Sequence, residues 1–295
     1  MKQELKGCGV ALVTPFSESG AIDYAGLERL VLHMHRGADY LVVAGTTGEA
    51  ATLTDEEQAA VLDFVIEINA GKLPVVLGLG GNNTKALAER AASVSRKDVA
   101  ALLSVSPYYN RPGQEGIYLH YKALAEASPL PVIAYNVPSR TGAGIAPETT
   151  VRMARDLDNV IGIKEASGSI VQVMQLAERL PDDFLLISGD DALALPHMAC
   201  GGHGIISVVA NAYPKKFGDV IRLTAEGRFS EARTLHYQLL PLIELLFSEG
   251  NPAGIKEVLR HIGICGNAHR LPLVSASKAL SNKLYAQVAE IGSEQ

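Results

Sequence analysis

Eight short apolar runs punctuate the first 211 residues: "GVALVTPF" (9–16), "YLVVAG" (40–45), "PVVLGLGG" (74–81), "AALLSVSP" (100–107), "PVIAYNVP" (131–138), "VIGIKEAS" (160–167), "FLLISGDD" (184–191) and "GIISVVAN" (204–211). Each is continuously apolar rather than alternating, the pattern of a strand covered on both faces, as in a parallel sheet. Amphipathic segments fill the gaps. "AIDYAGLERLVLHMHRGA" places Leu27, Leu30, Val31 and Met34 on one helical face. "TDEEQAAVLDFVIEINAG" opens on Thr54 with Glu57 three residues on, a capping box, and ends at Gly71. "APETTVRMARDLD" carries a proline near its first turn.

Strict strand–helix alternation up to about residue 229 predicts an α/β fold, a closed (β/α)8 TIM barrel rather than an open doubly wound sheet. A dinucleotide-binding sheet would want GxGxxG after its first strand, where this chain has "TPFSESG". "SEARTLHYQLLPLIELLFSEG", "NPAGIKEVLRHIG" and "LVSASKALSNKLYAQVAEIG" read as three further helices. The expected organisation is a barrel over 1–229 carrying the active site and a C-terminal three-helix appendage over 230–295.

Composition narrows the function. The chain has 295 residues, 47% apolar and 20% charged, an ordinary globular balance. A formal charge of −6 offers no basic footprint for nucleic acid or an anionic membrane. No apolar run approaches the length of a membrane span. Cys8, Cys200 and Cys265 lie far apart, with neither metal-site spacing nor an even count. The N-terminal "MKQELKGCGVALVTPF" lacks an apolar core followed by a small-residue cleavage site, so no signal peptide is expected. A reducing cytoplasm fits these features.

Active sites of such barrels sit at the C-terminal ends of the strands. Those ends carry Thr46, Thr47 and Glu49 in "GTTGE", Tyr108 and Tyr109 in "SPYYN", Tyr135 and Arg140 in "YNVPSRT", Lys164 in "GIKEASG", two acids in "SGDD", and Ile205 and Ile206 in strand 8. Lys164 is the oddity: an ammonium inside an apolar strand. Period two puts Gly162, Lys164 and Ala166 on one face and Ile161, Ile163 and Glu165 on the other. A desolvated lysine gives up its proton more readily and can attack a carbonyl to form a Schiff base. It could equally be paired with a buried carboxylate or snorkel to the rim. Tyr135, on the neighbouring strand, is either a proton carrier for imine chemistry or a core tyrosine. "GTTGE" is a turn that could aim amides and two hydroxyls at a carboxylate, or merely a turn. Arg140 could fork a second carboxylate or be an idle loop cation. Tyr108 and Tyr109 could be interface aromatics. His33 and His35, two apart on a helix, make a poor metal pair. "GGHG" (201–204) precedes strand 8, at the face opposite the active site. The acids of "SGDD" stand where phosphate-binding barrels want amides, which weighs against a sugar-phosphate aldolase.

These motifs, from "GVALVTPF" to "GNPAGIK", resemble the dihydrodipicolinate synthase family of pyruvate-dependent, class I aldolase-like lyases over almost the whole chain. "GTTGE" together with Arg140 distinguishes that family from the sialic acid lyases, whose motif resembles "GSTGE" and which lack the arginine. The resemblance implies condensation of pyruvate with L-aspartate 4-semialdehyde, giving 4-hydroxy-tetrahydrodipicolinate in lysine and diaminopimelate biosynthesis. Lys164 would carry the Schiff base. Tyr135 would move protons, linked through Thr46 to Tyr109, which enters from a neighbouring subunit. Thr47 and the backbone around Ile206 would bind pyruvate. Arg140 would hold the semialdehyde carboxylate, and Gly189 would line the pocket. No metal or organic cofactor would be needed, and the assembly would be a homotetramer of tight dimers. Feedback-sensitive members carry histidines after "GTTGE" and a glutamate early in helix 3. Here the matching places hold Asp55, Gln58 and Lys85 or Ala86, with Asn82 and Tyr108 retained, so weak or absent lysine inhibition is expected. Competing readings are a sialic acid lyase or keto-deoxy sugar acid aldolase, and a non-catalytic barrel that binds a small acid or a protein.

Overall fold

The computed structural model describes residues 2–94 and 96–292. Eight parallel strands close into a barrel in chain order: β1 (Gly7–Ala11), β2 (Tyr40–Val43), β3 (Val75–Gly78), β4 (Ala101–Val105), β5 (Val132–Asn136), β6 (Val160–Glu165), β7 (Leu185–Ser188) and β8 (Gly204–Ser207). Around them run α1 (Tyr24–Met34), α2 (Asp55–Asn69), α3 (Thr84–Ser93), α4 (Gln114–Ala127), the short α5 (Pro138–Thr141), α6 (Pro147–Asp156), α7 (Ile170–Arg179), α8 (Ala194–Ala199) and α9 (Pro214–Ala225). Three more helices follow, α10 (Phe229–Phe247), α11 (Ala253–His261) and α12 (Lys278–Ile291). The (β/α)8 barrel read from the apolar runs is the observed fold, and every expected strand is present, each shorter than its apolar run.

The strands are apolar throughout because each has two faces to cover. Inward-pointing residues, among them Ala11, Val42, Leu103, Tyr135, Ile187 and Ile206, form one buried cluster inside the barrel. Outward-pointing ones such as Val10, Leu41, Leu102 and Ile163 join a second cluster beneath the helices. That outer cluster continues into Leu239 and Leu242 of α10, Ile255 and Leu259 of α11, and Leu284 of α12.

Local sequence sets the helix starts. Thr54 accepts from the Glu57 amide while Glu57 accepts from the Thr54 amide, so the capping box forms as read. The C-cap of α2 is the left-handed Ala70, one residue before the expected Gly71. "GGHG" is a seam at the barrel floor. His203 exchanges two hydrogen bonds with Leu186, and a Cβ on Gly204 would collide with the Gly7 backbone on β1.

One strand departs from simple alternation. The β5–β6 register slips between Val132 and Ile133, which pair with Val160 and Gly162. Ile161 is the extra residue of a bulge, and it joins the interior cluster instead of facing outward beside Ile163. Above the bulge the expected alternation resumes, with Ala166 against the interior cluster and Ile163 in the outer one.

Candidate active site

Lys164 is 6% exposed, and its strand neighbours across the ladder are Tyr135 on β5 and Ile187 on β7. Its Nζ lies 4.4 Å from the centre of the Tyr135 ring. No ion pair joins it to any described carboxylate. The adjacent Glu165 faces the other way, accepting from Asn136 Nδ2 at 2.8 Å, the Ser167 amide at 2.7 Å and Gln172 Nε2 at 3.1 Å. Room for the lysine is made by a glycine: a Cβ on Gly189 would stand 2.9 Å from Lys164 Cε and 2.6 Å from Ala166 Cβ. The alternative of a lysine neutralised by a buried carboxylate does not describe Lys164.

It describes Lys256 instead. This second buried lysine, on α11, forms an ion pair with Glu49 in which both side chains are wholly inaccessible. It also donates to Ala268 O at 2.9 Å and lies 4.3 Å over the Phe16 ring. Burial lowers the Lys256 pKa, and Glu49 pulls it back up.

A cavity of about 930 Å³ opens at the C-terminal ends of the strands. Lys164, Tyr135, Thr46, Thr47, Arg140 and Gly189 all line it, so six of the eight residues singled out from the sequence meet there. Arg140 sits on α5, exposed on the cavity side, with its amide closing that short helix onto Val137 O at 2.9 Å. The other two lie elsewhere. Ile206 is buried with Tyr135 in the interior cluster, and Val208 reaches the cavity wall in its place. Tyr109 is 90% exposed, with a left-handed φ of 71°, while its neighbour Tyr108 lines the cavity. Within one chain, then, Tyr109 does not meet Thr46 and Tyr135.

The "GTTGE" turn is built differently from its composition. Its one left-handed residue is Glu49 (φ 55°), preceded by the left-handed Ala44 (φ 54°) just before the turn, and neither of its glycines is left-handed. Gly48 is needed for closeness: a Cβ there would lie 3.1 Å from Leu12 O. The Gly48 and Glu49 amides close i→i+3 turns onto Gly45 and Thr46, whereas the Thr46 and Thr47 amides donate to no described acceptor. Two unspent amides beside a hydroxyl, in the cavity that Lys164 also lines, can hold the carboxylate of a 2-oxo acid with its carbonyl at Lys164.

Sequence reading missed three parts of this frame. Glu57 of the capping box also accepts from both Nη atoms of Arg270 at 2.6 Å, and the hydrogen bonds from Arg270 hold its pKa at about 2. Asn251 Nδ2 donates to Thr47 Oγ1 at 3.0 Å. Asp191 of "SGDD" turns away from the cavity and accepts from the amides of Val208 (3.0 Å) and Val209 (2.8 Å) at the end of β8. Burial pushes its pKa up to about 6, against those hydrogen bonds. Among the described residues no group of three or more His, Cys, Asp or Glu is placed to hold a metal. His33 and His35 instead face Ala212 O and Asn69 Oδ1 separately.

The chain matches the model of the dihydrodipicolinate synthetase family over residues 4–291. A 4-hydroxy-tetrahydrodipicolinate synthase of Flavobacterium psychrophilum is 50% identical over 283 residues, covering 96% of this chain and 97% of the relative. A monomeric dihydrodipicolinate synthase variant superposes with a TM-score of 0.95 at 37% identity, covering 98% of both chains. The chloride-inhibited dihydrodipicolinate synthase of Acinetobacter baumannii, complexed with pyruvate, gives a TM-score of 0.94 at 37% identity, covering 97% of this chain and 99% of that one. Barrel, cavity and near-complete sequence match coincide, and the chain belongs to the dihydrodipicolinate synthetase family.

Proposed function

We propose that the chain is a lyase that condenses pyruvate with L-aspartate 4-semialdehyde, giving 4-hydroxy-tetrahydrodipicolinate for lysine and diaminopimelate synthesis. The observation that carries this is Lys164, a buried amine with no carboxylate partner among the described residues, lying against Tyr135 in a family whose A. baumannii member is complexed with pyruvate. Lys164 Nζ attacks the C2 carbonyl of pyruvate, and loss of water leaves an imine. Removal of a C3 proton gives the enamine, whose C3 bonds to the aldehyde carbon of the semialdehyde. Attack of the semialdehyde amine on C2 then closes the ring and frees Lys164. Tyr135 moves protons in these steps, through Thr46 and a Tyr109 supplied by a partner subunit. The 90% exposure of Tyr109 supports its reach toward a second chain. Thr47 and the backbone around Ile206 hold the pyruvate carboxylate, Arg140 the semialdehyde carboxylate, and Gly189 the space between.

On this reading residues 1–229 carry the chemistry, and residues 230–295 support its carboxylate-binding turn. The working assembly is a homotetramer, without cofactor, in the cytoplasm. No described helix is long and apolar enough to cross a membrane. The test is turnover of pyruvate with L-aspartate 4-semialdehyde set against pyruvate with N-acetylmannosamine. The reading expects product from the first pair only. Turnover of the amino sugar alone would reassign the chain to the sialic acid lyases.

A further inference from the structure

Asn251 lies in the turn between α10 and α11, 8% exposed, and lines the same cavity as Thr47. Its Nδ2 donates to Thr47 Oγ1 at 3.0 Å. Its Oδ1 is buried with no partner. An unmet buried acceptor is costly, and one at the wall of a binding cavity calls for a compensating role. A threonine hydroxyl has one proton and two lone pairs. With Asn251 donating into a lone pair, that proton cannot point at Asn251. No described acceptor takes it either, so it is left for whatever occupies the cavity.

We infer that Asn251 is a positioning residue that turns the Thr47 hydroxyl proton toward the carboxylate of the 2-oxo acid. The inference rests on the proposed pyruvate chemistry. The same six-residue stretch, Asn251 to Lys256, grips the turn twice, since Lys256 holds Glu49 two residues beyond Thr47. Asn251 thereby sets the direction of one donor in a turn whose backbone Lys256 fixes. Its effect belongs to binding of the first substrate, not to carbon–carbon bond formation.

The test titrates wild type, N251A, N251D, T47V and T47V/N251A with pyruvate. It reads the half-saturating concentration for borohydride-trapped adduct on Lys164, together with KM and kcat for both substrates. N251A should raise half-saturating pyruvate about tenfold, the effect of one weakened hydrogen bond to a charged group. N251D, close in shape, should raise it further, because its carboxylate accepts the hydroxyl proton and repels the substrate. The kcat and the KM for aldehyde should hold within about twofold. In the T47V background N251A should change pyruvate binding less than about twofold, since the group it acts through is gone. An equal loss with and without the Thr47 hydroxyl, or unchanged half-saturation in both Asn251 variants, would overturn the inference. If N251A does not fold, N251D carries the same comparison. A wild type that forms no pyruvate adduct would instead overturn the functional reading on which the inference stands.

Discussion

Lys256 and Glu49, 207 residues apart in sequence, form an ion pair shut off from solvent at the "GTTGE" turn. The pair ties α11 to the loop after β2 and holds Glu49 in a left-handed conformation that a glutamate would not choose alone. Removing one partner strands the other charge in a dry site. Lys256→Met is therefore expected to lower unfolding free energy by about 3–5 kcal/mol. Adding Glu49→Gln should recover part of that loss. Denaturant unfolding of the single and double variants measures both, and a single variant as stable as wild type would show that the pair is not a tie.

Gly189 leaves the space in which Lys164 stands. Gly189→Ala places a methyl 2.9 Å from Lys164 Cε, and the lysine must swing or the strand end must shift. Overpacking of this kind costs about 1–3 kcal/mol. The expected outcome is a kcat lowered by about tenfold or more with a native far-ultraviolet spectrum, because misplacing the reacting amine by about 1 Å is enough. Unchanged kcat would mean that Lys164 does not occupy this position during turnover.

Tyr109 makes the opposite prediction. It is almost fully exposed in the single chain, so Tyr109→Phe should leave thermal unfolding of the subunit unchanged within about 0.5 kcal/mol. Turnover should nonetheless fall strongly, while pyruvate can still be trapped on Lys164. Equal turnover in the two proteins would end the proton-relay role.

Asp191 gives a pH signature. Its pKa is raised in the folded chain from the ordinary 3.8 to about 6 by burial, so the folded state holds this proton more tightly than the unfolded state. Its contribution to stability therefore falls as pH rises through that window and is lowest above it. Relative to Asp191→Asn, the wild type should gain about 1–3 kcal/mol as pH drops from about 6.5 to about 4. Glu57, with its pKa held at about 2, works in the opposite sense, losing its contribution as pH falls. It cancels in the difference between the two proteins. Parallel stability curves would contradict the assignment.

Feedback by lysine should be weak or absent. Arg90 on α3 pairs with Asp55 Oδ1 at 2.8 Å and donates to Gln58 Oε1 at 3.4 Å. Gln58 Nε2 in turn donates to Ala50 O at 3.1 Å. The polar groups that would greet an effector's ammonium already hold one another, with a guanidinium among them. Lys85 points to solvent, 3.9 Å from Glu89. A steady-state assay should show little inhibition by L-lysine, and half-inhibition at micromolar concentration would contradict this.

The barrel was legible because a strand buried on both faces leaves an unbroken apolar run, and a buried helix face leaves a 3.6-residue stripe. Lys164 stood out for the same reason, as the charge such a run cannot absorb without a purpose. What stayed hidden was long-range. Nothing near Lys256 announces a carboxylate 207 residues away, although α11 buries seven consecutive residues from Ala253 to Leu259 with that lysine in their midst. In the sequence Asn251 reads only as the first residue of a helical segment, because its meaning lies in the hydroxyl it meets. The bulge at Ile161 is a one-residue slip that periodicity cannot register, since the flanking residues are apolar on either face. Tyr109 is 90% exposed in the single chain, and its proposed place in the site requires a second chain, which one sequence read as one barrel does not display.

The most direct test of the central claim is to incubate the protein with pyruvate, reduce with borohydride and locate the adduct by mass spectrometry. The account predicts a single pyruvate-derived mass on Lys164 and none on the paired Lys256. Bound pyruvate without an adduct, or an adduct on another lysine, would contradict it and return Lys164 to a structural role.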